Sequence, residues 1–190
     1  MSSKPPKRTM GRPIFLSGFM RAPAGRDRGA NGTGKRSQLF EAVEPTGLVA
    51  DVQRHWNEMR GERPLPALAD MDFAALSRQR DHLMVFDVVQ QGAGLPPRFR
   101  ERLVGPGILA LVGRSSGGAW VDEAVDPSVR AEIIAHLSAV VTTRRANCYA
   151  GSLIAADRKF YSYTRLLLPL SSTGKDVDAI LGCAIPDQLT

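Results

Sequence analysis

The stretch from Gly105 to Asp126 carries glycines at 105, 107, 113, 117 and 118, so no long helix or strand can run through it. Short helices and turns suit it, and it divides the chain's strand-like runs into two before and three after. The first, His82 to Val89 (HLMVFDVV), is rich in β-branched and aromatic residues. A turn over Gly92-Ala93-Gly94-Leu95-Pro96-Pro97 links it to Arg98–Val104 (RFRERLV), which predicts a hairpin. Beyond the glycines, Asp126 can cap a helix opened by Pro127, in which Val129, Ile133, Ile134, Leu137 and Val140 recur at helical spacing and Arg144 and Arg145 suit the C-terminal end. Three strands complete the chain, roughly Cys148 to Ala155, Lys159 to Leu168 and Asp176 to Ile185, separated by Ala156-Asp157-Arg158 and Ser171-Ser172-Thr173-Gly174.

Ahead of the hairpin, Gly47 to Gly61 (GLVADVQRHWNEMRG) places Leu48, Val49, Val52, Trp56 and Met59 on one stripe, the pattern of an amphipathic helix closed by Gly61. Pro64 and Pro66 then enforce an extended link, and Asp72 opens what reads as a short helix over Phe73-Ala74-Ala75-Leu76. The 190 residues suit one well-buried core. Residues 1–40 are expected to be a basic, disordered tail and 41–190 the folded domain. The net charge of +6 divides accordingly: residues 1–40 hold nine Lys/Arg against Asp27 alone, whereas 41–190 hold 16 basic and 18 acidic residues. Any nucleic-acid attachment is therefore expected through the tail rather than the body.

Several function classes fall away on composition. Two cysteines, Cys148 and Cys183, cannot supply a metal quartet, and they fit a reducing, cytoplasmic compartment. No apolar run approaches the ~18 residues of a membrane span, and Ile14 to Met20 is too short for a secretory leader before Arg21 ends it. Gly29 to Lys35 (GANGTGK) resembles most of a phosphate-binding loop, but Arg36 replaces the Ser/Thr that would hold magnesium and no strand precedes it. The acidic cluster Asp122, Glu123 and Asp126 reads as a solvated face rather than a cation site. No metal site and no catalytic residue is assigned.

Trp56, Arg60-Gly61 and the Pro64/Pro66 pair together resemble the "W…RG…P.P" opening of a bacterial single-domain PAS family. Arg100-Glu101-Arg102-Leu103-Val104-Gly105 resembles its "RYRLVGT" strand, Gly113 and Gly117 its glycine turn, and Tyr163 to Leu170 (YTRLLLPL) its "YERLLLPL" strand. Glu101 stands where an aromatic is usual and Pro106 where Thr is usual, so the pocket entrance is expected to differ. The resemblance implies an α+β fold: a five-stranded antiparallel PAS-like sheet with short helices on one face and an N-terminal amphipathic helix. It also implies an apolar pocket between sheet and short helices, lined here by Phe86, Leu103, Ile108, Leu111, Trp120, Leu137 and Leu166, residues that could equally pack as a dry core. A haem-binding relative would place its proximal ligand on the longer helix, where His136 lies. Asn147-Cys148 only echoes the reactive-cysteine motif of flavin photosensors, and Cys148 reads as a buried small residue. No cofactor is specified.

Arg102 and Arg165 are each flanked by apolar residues on expected strands, so each head group must find solvent, a carboxylate such as Asp87 or Glu101, or an anionic ligand. The expected function is a non-enzymatic sensory or regulatory module that binds a small molecule, a signalling protein partner, or both. A ligand-free interaction scaffold is the alternative. The stripe of Leu48, Val52, Trp56 and Met59 is a candidate self-association face for a homodimer, and covering the chain's own sheet would bury the same residues.

Overall fold

A computed structural model describes residues 40–112, 117–154 and 160–187. Its elements run β1 (Phe40–Ala42), α1 (Gly47–Arg60), β2 (Leu83–Val89), β3 (Arg98–Val104), α2 (Pro106–Val112), α3 (Val121–Ala124), α4 (Pro127–Thr143), β4 (Asn147–Ile154), β5 (Phe160–Leu170) and β6 (Ala179–Pro186). One antiparallel sheet has the order β1-β4-β5-β6-β2-β3. The α+β, PAS-like class is as expected, but the sheet has six strands rather than five. The added strand, β1, is three residues long and pairs with β4 by setting Phe40 opposite Gly151. A run that short has no alternation to read, and only its long-range pairing makes it a strand.

Local chemistry explains where the two long helices begin or end. Asp126 accepts the amide of Ser128 at 2.8 Å and Pro127 occupies the first turn of α4, where its missing N–H is harmless. Gly61 closes α1 at φ 56°, in the left-handed region where a Cβ is unwelcome. Asp72 does act as a cap, accepting from the amides of Ala74 and Ala75 at 2.9 and 3.4 Å, but residues 73–79 form successive turns instead of a helix. So short a run between prolines and a strand cannot repay helix nucleation.

The central strand β5 sorts the two faces of the sheet. Leu166, Leu168 and Leu170 alternate with Arg165, Leu167 and Pro169, and all six are buried. α1 lies across β5 and β6, while α4 packs on β5 over the face that carries Arg165. The stripe considered for self-association is turned inward: Val49, Val52 and Trp56 are buried, with Val52 0% exposed, and Leu48 and Met59 pack against the same core. Trp56 Nε1–H donates to the Pro169 carbonyl at 2.9 Å, fixing the helix to the sheet. Pro169 is tolerated in a central strand because β4 pairs with β5 only as far as Leu167, so its missing N–H costs no ladder bond.

Phe40 is buried, although the sequence boundary leaves it in the tail. Deleting residues 1–42 is expected to lower the melting temperature by at least about 6 °C, the scale of losing one buried Phe from a domain of this size, whereas deleting 1–37 should leave it unchanged. Calorimetry of the two shortened chains against the full chain checks this.

Candidate functional site

The face under α4 holds a polar cluster that strand register assembles. Tyr149 on β4 lies directly opposite Arg165 on β5, which lies opposite Ala184 on β6, so all three side chains share that face. Two pairs further along, and so on the same face, Gly151 stands opposite Tyr163. His136 enters from α4: its ring stacks on Tyr149 with centroids 3.8 Å apart and planes 8° from parallel, and its Nδ1 lies 2.5 Å from Arg165 Nη2. Asn147 Nδ2 donates to the His136 carbonyl at 2.9 Å, tying the strand to the helix. Phe40 completes the cluster, meeting His136 edge-on at 5.2 Å and lying 4.8 Å from the Arg165 guanidinium carbon. The glycine at 151 makes room for this ring, since a Cβ there would come within 2.8 Å of it.

A guanidinium only donates hydrogen bonds, so His136 Nδ1 must present its lone pair and the ring must be neutral with its proton on Nε2. Burial and the Arg165 charge both push His136 down, to about 4. In that tautomer neither ring nitrogen is free to ligate a metal, so the residues present do not fit a haem whose proximal ligand is His136. Burial likewise pulls the Arg165 guanidinium below its ordinary value, opposed by Tyr163 and Glu132. Glu132, one turn before His136, is raised by burial and lowered by Arg165. Among the described residues, no carboxylate reaches ion-pair distance of Arg165. Arg165 Nε and Asn147 Oδ1 are buried without hydrogen-bond partners among the described residues.

The carboxylates suggested for Arg165 lie elsewhere. Asp87 is engaged by Arg102 at 2.5 Å and by Arg100 at 3.0 Å, and both it and Glu101 belong to β2 and β3, which the strand order separates from β5 by β6. The pairing expected for Arg102 with Asp87 is thus present, and the one suggested for Arg165 is replaced by His136. Of the seven residues named for a pocket, Phe86, Ile108 and Leu137 are buried, and Leu111 and Trp120 are half-buried. Leu103 is 46% exposed on the edge strand β3, and Leu166 faces away from Arg165, in line with Cys148 and Cys183. Burial pushes those two thiols up to about 11 and about 12, so neither is a nucleophile at neutral pH.

A concavity of about 350 Å³, half open, lies between the β2–β3 turn and α4, bordered by Leu95, Pro97, Phe99 and Ile134. At its rim Arg98 donates to Asp122 and Glu123 at 2.8 Å and covers the Trp120 ring at 4.2 Å. The acidic cluster is therefore divided between this arginine and the α4 cap, and no cation-binding group occurs among the described residues. The glycine-rich loop at 29–35 and the basic tail lie outside the described residues.

Phe40, Tyr149, Asn147 and Gly151 escape sequence reading because their roles depend on which strands become neighbours. The one local signal was Arg165, a charge inside an apolar strand.

A family model for the PAS domain matches residues 47–185, and the chain belongs to that family. No curated protein matches it. Among solved structures it is similar to the PAS domain of a protein from Colwellia psychrerythraea, at 14% identity over 58% of this chain and 92% of that one, with a TM-score of 0.42. It is also similar to an RNA-binding light-oxygen-voltage receptor, at 15% identity over 84% of this chain and 37% of the receptor, with a TM-score of 0.39. A sensory box histidine kinase/response regulator from Burkholderia thailandensis matches at 14% identity over 61% of this chain and 85% of that one, with a TM-score of 0.38. Among the described residues, no helix is long and apolar enough to cross a membrane.

Asp87→Ala is expected to cost about 2 kcal/mol, because it removes an acceptor of charge-assisted hydrogen bonds from two arginines at once. Arg102→Ala should cost less than about 1 kcal/mol, since that head group is half exposed and Arg100 remains on Asp87. Urea denaturation of the two variants measures both. His136 gives a pH signature. It titrates near 6.5 when unfolded and near 4 when folded, so between those values the unfolded chain binds the extra proton. Its contribution is fully present above about pH 6.5 and is lost as pH falls towards 4. His82, also lowered by burial, acts in the same direction. Urea midpoints between about pH 7.5 and 4.5 should fall less steeply in His136→Gln, which keeps an acceptor for Arg165, than in the natural chain.

Proposed function

We propose that this PAS domain is a sensory or regulatory module that acts without catalysis, by binding a small molecule beneath α4 and passing the change to a partner protein. PAS domains are generally sensory rather than catalytic, and the cluster around Arg165 suits ligand recognition better than chemistry: its imidazole is held neutral by a cation. The observation that carries the reading is the buried arginine on the α4-covered face, with no carboxylate at ion-pair distance among the described residues. A domain serving only as an inert scaffold gains nothing from placing a costly charge there.

The scaffold reading has one observation in its favour. Leu95 is 59% exposed beside the half-open concavity, and Leu103 is exposed on an edge strand, so apolar surface is open at the β2–β3 end. With the α1 stripe covering its own sheet, a homodimer or a signalling partner would use that end. Tail-borne nucleic-acid attachment is a separate activity that neither reading requires.

Native mass spectrometry of the gently purified full chain, followed by solvent extraction, tests the proposal. A stoichiometric small molecule released on denaturation is the expected result. A protein at its bare polypeptide mass that self-associates reversibly in sedimentation would support the scaffold instead.

A further inference from the structure

We propose that the Arg165 cluster is a carboxylate site, and that the ligand class is a small organic monocarboxylate that supplies the counter-ion which no described residue places at ion-pair distance. The inference rests on the ligand-binding reading of this domain and specifies its chemistry. Arg165 is only 6% exposed, and its Nε has no hydrogen-bond partner among the described residues. Guanidinium does not shed its proton, so the charge persists in the interior. The groups touching it answer that charge only in part. His136 is neutral and occupies Nη2, Phe40 offers the face of a ring, and Tyr149 and Tyr163 bring phenol groups on the same face. Arg102 is the contrast within the same domain: it shares a carboxylate with Arg100, is half exposed, and needs no ligand.

The nearby acid that must be weighed is Glu132 on α4, which acts on Arg165 from beyond ion-pair distance. Were it the true counter-ion, an added carboxylate would find the guanidinium occupied. An incoming carboxylate matches the fork of N–H donors better than a phosphate or a halide in this setting, because it is planar and carries one charge against one. Phe40 lies over the guanidinium from β1, so a ligand that reaches the guanidinium must shift this ring.

The probe is sodium acetate, titrated into the full chain against sodium chloride at matched ionic strength. Acetate should raise the melting temperature saturably, by about 4 °C at roughly ten times its Kd, with no comparable rise in chloride. The side-chain Nε–H resonance of Arg165 should shift along the same isotherm, a readout that needs no variant. Arg165→Gln, checked for fold by circular dichroism, should lose the response, while Arg102→Gln and Glu132→Gln keep it. Equal stabilisation by chloride, an unmoved Arg165 resonance, a response retained in Arg165→Gln, or one that appears only in Glu132→Gln would each overturn the carboxylate site. A neutral compound that co-purifies equally with the natural chain and with Arg165→Gln would leave the sensory reading standing and remove this one.

Discussion

The charge of Arg165, set in the middle of a sheet whose flanking leucines are sealed from water, is the constraint to which the surrounding elements answer. Taking an ion out of water costs several kcal/mol even after relaxation, and a guanidinium cannot escape the cost by losing its proton. Each neighbour that softens the cost also fixes an element. His136 must accept from Arg165, which sets the rotation of α4 about its axis. Tyr149 must lie under that imidazole, which sets the register of β4 on β5. Phe40 covers the guanidinium, which gives a three-residue strand a reason to dock.

The opposite face of β5 obeys a simpler rule. Leu166, Leu168 and Leu170 belong to the apolar core, and the two cysteines that share a row with Leu166 are buried thiols with raised pKa values. α1 covers this side and makes its polar contact to the sheet through the indole of Trp56, on a carbonyl that the sheet leaves free. The charged arginine and its aromatic partners thereby lie on one face of β5, and Leu166, Leu168 and Leu170 on the other.

This division bears on how far the sequence could be read. α1, the β2–β3 hairpin, α4 and the last three strands were legible because each carries its own period, cap or turn residues, and their ends moved by at most three residues. β1 was not legible, since Phe40 becomes a strand residue only when Gly151 on β4 makes room for its ring. The stripe of Leu48, Val52, Trp56 and Met59 was legible as a buried face, but its partner was not, because one chain's sheet and a second copy bury it equally well. Arg165 stood out as an anomaly that local pattern could flag. Its acceptor could not be named, because strand order, and not sequence distance, decides that His136 is near and that β6 stands between Arg165 and Asp87.

Phe40 touches three elements at one point: it pairs across Gly151 on β4, meets His136 on α4 edge-on and covers Arg165 on β5. Coupling between distant parts of a protein requires a shared contact whose arrangement depends on state. A single ring that α4, β5 and the first strand all need in place meets the first half of that requirement without any longer pathway. Anything that changes how the charge on Arg165 is balanced therefore changes the hold on β1 and on α4 together, although α1 and the whole β2–β3 hairpin lie between them in the chain. In a sensory domain this is the arrangement that lets a small event beneath one helix reach the first strand by a contact of about 5 Å.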